Sequence, residues 1–206
     1  GGVWKRLMYD DDNIEPWECG DVLIDLRDQQ TYETVQIGDQ CWMAENLNIG
    51  ERIDGWTDQT DNQLPEKYCF ENNETNCDIY GGLYQWNEAM QYTTIEGNQG
   101  ICPDGWHIPT DEEWKILEGS VDTQYGYPDP EWDKEGYRGA DAGLNLKSET
   151  GWNFNGNGLN LYNFSALPGG YRLYQAFYHL GDDGFWWSSS ESLPDKAFVR
   201  ILIYGE

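Results

Sequence analysis

The sequence is poor in cations, and that scarcity excludes two classes of partner. Twelve Lys and Arg stand against 38 Asp and Glu, a formal net charge of -26, so the summed field repels phosphate backbones and anionic headgroups. Nucleic acid and membrane surfaces are therefore not expected as partners. No apolar run approaches the roughly 20 residues of a membrane-spanning helix, so membrane insertion is not expected either. Histidine is scarcer still: His107 and His179 are the only two. The five cysteines, at 19, 41, 69, 77 and 102, include no C-x-x-C pair, and no histidine is spaced to complete a zinc site. Helix-favouring residues are modest, while 24 Gly and 8 Pro interrupt short apolar runs, so long helices should be few. No internal repeat suggests a solenoid.

Aromatic residues are plentiful. Eleven Trp, 14 Tyr and 6 Phe supply apolar area that disordered acidic chains lack, so this chain folds. Its 206 residues suit one domain over 21–206, preceded by an N-terminal extension over 1–20. The extension joins an apolar strand candidate, "VWKRLMY", to an acidic stretch, "DDDNIEPWECGD". Within the domain, "TYETVQIGDQCWMAENL" reads as a β-hairpin turning at Gly38 and Asp39. Residues 50–80 lack periodicity and read as an extended loop. Cys69 and Cys77 bracket the polar "FENNETN" in that loop, and a disulfide between them would pin it. Cys19, in the irregular N-terminal segment, is the expected leftover thiol.

Leu83, Trp86 and Met90 form one helical stripe, predicting a helix over 83–91. In "CPDGWHIPTDEEW", Thr110 and Glu113 make a capping box, with Pro109 and Trp114 at the flanking staple positions. A second short helix therefore starts at Asp111, and Trp114, Leu117 and Val121 continue its stripe. Its acidic residues favour the positive end of the helix dipole, which makes this stretch scaffold rather than active site. Residues 122–160 read as loop. Near the end, Ala197, Val199, Ile201 and Ile203 alternate with Phe198, Arg200, Leu202 and Tyr204, predicting a strand buried on both faces.

His107 is expected to be buried and hydrogen-bonded to backbone. His179, in the strand-like "AFYHL", has serines near 188–192 as formal partners, but nothing in the sequence fixes a nucleophile system. In "GDDGFWW", Asp182 and Asp183 could hold a hard cation such as calcium, with Trp186 or Trp187 offering a flat face to a sugar ring. The plainer reading makes Asp182, Asp183 and Gly184 a turn and puts the tryptophans in the core. Two N-x-S/T sites occur: Asn73 in an exposed loop, a glycosylation candidate, and Asn163 in an expected buried strand.

Five ordered segments, "RDQQTYETVQIGDQCWMAENLN", "YGGLYQW", "CPDGWHIPTDEEW", "LKSETGW" and "NFSALPGGYR…GFWWSSSES", resemble the successive signatures of the Fibrobacter succinogenes major paralogous domain. That family is common in secreted and surface proteins of Bacteroidota and Fibrobacterota. The resemblance implies an α+β, C-type-lectin-like fold, with two short helices on twisted antiparallel sheets beneath long irregular loops. It also bears on the disulfides. Several members carry a cysteine in the last strand, which this chain lacks, so Cys102 is assigned to Cys41. The related formylglycine-generating enzymes need a cysteine pair in the C-terminal half, absent here, so that oxidase chemistry is not expected. These readings together predict a non-enzymatic secreted or cell-surface protein. It would be structural or adhesive, assembling with copies of itself through Val3, Trp4, Leu7 and Tyr9 as a fibre-like subunit. The alternative is a glycan-binding module for polysaccharide, with calcium as its only candidate cofactor.

Overall fold

A computed structural model describes residues 17–193 and 196–205. Val3, Trp4, Leu7 and Tyr9 lie outside the described residues. The order of elements is β1 (Leu23–Ile24), β2 (Thr31–Tyr32), β3 (Thr34–Ile37), β4 (Gln40–Met43), β5 (Glu51–Arg52), β6 (Glu66–Lys67), α1 (Glu74–Tyr80), α2 (Trp86–Ala89), α3 (Asp111–Val121), α4 (Ala142–Leu146), β7 (Tyr171–Leu173), β8 (Ala176–Tyr178), β9 (Asp183–Leu193) and β10 (Lys196–Ile203). Two 3-10 turns, Phe70–Asn72 and Pro130–Asp133, complete it. The class is α+β. Among the described residues every sheet has two strands, antiparallel except for the β5–β6 pair.

The β3–β4 hairpin turns at Gly38, whose φ of 59° is the glycine-first requirement of a type II′ turn. In α3 the Thr110 hydroxyl accepts the Glu113 amide proton at 3.1 Å, and Glu113 accepts the Thr110 amide proton at 2.8 Å. Trp114, Leu117 and Val121 then point into one core with Ile37, Trp42 and Leu146. A second core gathers Ile49, Met90, Ile101 and Ile108. β9 runs between the two: Trp186 packs on the first core and its neighbour Trp187 on the second.

Several sequence-based expectations are corrected. Residues 50–80 hold β5, β6 and α1 rather than one loop. α1 escaped notice because its only buried residue is Cys77, so no apolar stripe marks it. Asn73 caps it by accepting the Thr75 amide proton. The helix expected over 83–91 contracts to α2, Trp86–Ala89, because Gln91 and Tyr92 adopt left-handed φ of 50° and 57°. Residues 122–160 contain the second 3-10 turn and α4. β10 is not buried on both faces: Ile201 is 45% exposed, while Arg200 is buried. Arg200 donates to Glu118 and to Asp111, each at 2.7 Å, and Arg138 meets the same Glu118 at 2.6 Å.

One disulfide differs as well. Cys69 is bonded to Cys77, as expected, but Cys41 is bonded to Cys19 and not to Cys102. Cys102 is the free, buried cysteine, and Cys19 is no leftover. The reason is local: the Thr34 hydroxyl accepts the Gly20 amide proton and donates to the Asp21 carbonyl. That places Cys19 alongside the hairpin. Burial pushes the Cys102 thiol up to about 12, which suppresses its thiolate at neutral pH.

One thiol equivalent is therefore expected to react with a thiol reagent in denaturant, and none in the native protein. Loop-closure entropy predicts that opening Cys69–Cys77, with sequence separation 8, costs about 2.6 kcal/mol, and opening Cys19–Cys41, with separation 22, about 3.4 kcal/mol. Urea midpoints of the two Cys→Ser pairs would measure both.

Candidate functional site

A cleft of about 2500 Å³ opens between residues 17–27, β4, the turn around Trp106 and the tryptophan pair of β9. Its wall is predominantly apolar. Trp17 meets Trp106 edge to face at 6.0 Å. The tryptophans of β9 are held by their indole N–H groups, Trp186 donating to Asn46 Oδ1 at 2.9 Å and Trp187 to the Tyr84 carbonyl at 2.8 Å. The Cys19–Cys41 bond fastens the chain leading out of residue 17 to β4, one wall of the same cleft.

The loop placement of the glycan candidates is thereby corrected. Trp186 and Trp187 belong to a strand, not to an exposed loop, and each is half-buried with its polar edge committed to scaffold. Their alternation along β9 dictates this, since neighbouring residues of a strand face opposite sides. The cation candidates separate too. Asp182 accepts from Asn153 at 3.0 Å, while Asp183 is buried and bonded to His179. Among the described residues the one trio of His, Cys, Asp and Glu close enough to share an ion is Cys69, Glu74 and Cys77. Two of its members form a disulfide, so it has no thiolate to offer.

His107 is exposed rather than buried, and its Nε2 lies 2.9 Å from Glu113. Glu113 also accepts from the Thr110 hydroxyl at 3.1 Å. The carboxylate thus sits between imidazole and hydroxyl, whereas an activated nucleophile needs the imidazole in the middle. His179 follows β8 at a φ of 64° and pairs with Asp183, not with a serine. The serines of β9 are spent elsewhere: Ser189 accepts the Gly97 amide proton at 3.0 Å and Ser190 that of Asp111 at 2.8 Å. Asn73 is exposed and caps α1. Asn163 is exposed in a turn at φ 56°, not in a buried strand.

The sequence gives little warning of Trp56. It is 67% exposed, yet its loop is pinned. Gly55 N–H donates to Asn72 at 2.7 Å and Trp56 N–H to Asp54 at 2.9 Å, while Arg172 binds the Gly55 carbonyl at 2.9 Å and Asp58 at 2.8 Å. The Arg172 guanidinium in turn lies 4.4 Å over the Tyr68 ring. The Asp54-Gly55 turn is the one local signal that could have marked this loop.

The sequence model of the Fibrobacter succinogenes major domain matches residues 35–204. The chain belongs to this family. The match begins within the β3–β4 hairpin and ends after β10, so it takes in α1 to α4 and both core clusters. No curated protein and no solved structure matches the chain. In this member of the Fibrobacter succinogenes major domain family, residues 17–27, one wall of the cleft, precede the matched region.

The His107–Glu113 contact gives a pH signature. Its hydrogen bond to Glu113 raises the histidine above its ordinary 6.5. Burial alone would push Glu113 up, but hydrogen bonds from His107 and Thr110 bring it down to about 2. The Glu113 contribution to stability is present above 4.5 and fades as pH falls towards about 2. The His107 contribution is full below 6.5 and fades as pH rises through its raised value. Urea midpoints are expected to fall between pH 6 and pH 8.5 in the wild type, and His107→Gln should flatten that fall.

Proposed function

We propose that this protein is a non-enzymatic extracellular structural protein that associates with copies of itself through the aromatic cleft. The cleft carries the reading. At about 2500 Å³ it exceeds the roughly 300–1000 Å³ of small-molecule sites, and it suits a length of polypeptide. Tryptophan and tyrosine dominate protein interfaces because they bury large area at small entropic cost. Two disulfides suit an oxidising compartment outside the cytoplasm, in keeping with a secreted or surface-attached, structural or adhesive protein.

A second reading, polysaccharide binding, is favoured by Trp56 rather than by Trp186 and Trp187. An exposed indole on a pre-set loop presents a flat face to a sugar ring at little ordering cost. Asp54 and Asp58 flank it as acceptors for hydroxyls. Retention on polysaccharide gels that Trp56→Ala abolishes would support this reading; retention left unchanged removes it.

For the main reading, light scattering and negative-stain microscopy of the purified protein in calcium-containing buffer should find oligomers or filaments. Monomers at tens of micromolar, by both methods, would overturn it.

A further inference from the structure

We infer that the cleft receives residues 3–9 of a second copy, a proposal that rests on the self-association read above. The segment is Val-Trp-Lys-Arg-Leu-Met-Tyr, apolar but for two adjacent cations, in a chain with only 12 Lys and Arg. It lies outside the described residues. The cleft is its chemical complement: an aromatic floor beneath an acidic rim. Glu18, Asp21, Asp39, Glu45 and Asp104 all line the cleft, and none of them forms an ion pair among the described residues. Lys5 and Arg6 supply the missing charge, while in an extended segment Val3, Leu7 and Tyr9 on one face and Trp4 and Met8 on the other cover opposite aromatic walls of the cleft.

Two further observations fit a backbone, not merely side chains, in the cleft. β4 pairs with β3 alone among the described residues, so its other edge is open to an added strand, the usual mode of extended-segment capture. The Trp17 indole N–H, at the same wall, is buried without a hydrogen-bond partner among the described residues, and a docked backbone would satisfy it only where its cover gives way to a carbonyl. Seven extended residues span about 23–25 Å.

The self-association reading selects the second copy over the chain's own cleft, and the peptide titration below separates the two. Head-to-tail insertion of this kind leaves one free segment and one free cleft at the ends of every oligomer, so it propagates. The Cys19–Cys41 bond then fastens each segment covalently to the wall of the cleft its own copy offers.

Complementary full-length variants test this. Lys5→Glu with Arg6→Glu disables the segment and leaves the cleft intact. Asp39→Lys with Asp104→Lys, both at exposed positions, disables the rim and leaves the segment intact. Each variant alone should remain monomeric in light scattering with an unchanged near-ultraviolet circular dichroism spectrum, and an equimolar mixture should reassemble with the two variants alternating, since the reversed segment of one also suits the reversed rim of the other. If both variants assemble as the wild type does, residues 3–9 are not the occupant, and self-association stands through another surface. If the wild type is itself monomeric, a peptide of residues 1–10 is titrated onto the Lys5→Glu, Arg6→Glu chain. Binding there but not to the wild type means each cleft holds its own segment, and no binding to either chain means the cleft does not receive it. Both results overturn the exchange between copies along with the self-association reading.

Discussion

Asp122 shows how this chain closes its backbone without large sheets. Its carboxylate accepts the amide protons of Gln124, Tyr125, Ala140, Asp141 and Ala142. One side chain at the end of α3 thereby organises the loop that follows and the start of α4, and those hydrogen bonds hold its carboxyl below the ordinary range despite burial. Buried or half-buried amides must find acceptors, and two-stranded sheets supply few. Carboxylates do that work elsewhere too: Glu88, fully buried, takes the Glu66 amide proton, and Asp141 that of Thr123. Part of the excess of acid is therefore structural, since a carboxylate accepts several amide protons at once. The charge of -26 is in that sense a by-product of how the loops are built.

Tryptophan supplies the second kind of cross-link. Trp86 donates to the Ser188 carbonyl at 2.8 Å and Trp114 to the Trp187 carbonyl at 3.3 Å, so α2 and α3 both hang on β9. Trp186 and Trp187 donate back to Asn46 and Tyr84. A strand with one ladder partner is thus held between two cores by four indole hydrogen bonds. The irregular register between β9 and β10 at Ala197 and Val199 belongs to the same arrangement. It leaves Ser188 to accept from Trp86, and Ser189 and Ser190 to meet the segment before α3 and the start of that helix. Residues that invite a ligand reading in the sequence are committed to scaffold because the scaffold has so few strands.

What was legible in the sequence follows from range. The β3–β4 turn and the cap of α3 are decided by residues within four positions of one another, and both were read from "IGDQ" and "PTDEE". Membership of the Fibrobacter succinogenes major domain family was legible from ordered motifs. Pairings that depend on distant contacts were not. Cys19 reaches Cys41 only because Thr34 holds the intervening chain, and α1 has a cap and a disulfide but no apolar stripe. His107 was misplaced for a related reason. Its flanking Trp106 and Ile108 suggest burial, but the capping carboxylate of Glu113 draws the imidazole outward. The cleft itself could not be read at all, since its walls come from residues as far apart as Trp17 and Trp187.

Open edges and an acidic surface constrain one another. A protein built from two-stranded sheets exposes strand edges that invite indiscriminate pairing. At -26, contact between two such surfaces is opposed wherever carboxylates meet, and the acidic rim of the cleft extends that opposition to the place where the open edge of β4 lies. In the exchange proposed above, a rim of this kind would discriminate as much as it attracts: it would reject acidic segments and admit an apolar one that carries its own cations. Specificity would then come from like-charge repulsion against the many wrong contacts, while the aromatic floor would supply the attraction for the right one. Such a cleft would need no unusual affinity to be selective, because like-charge repulsion would already oppose contacts with the rest of the surface.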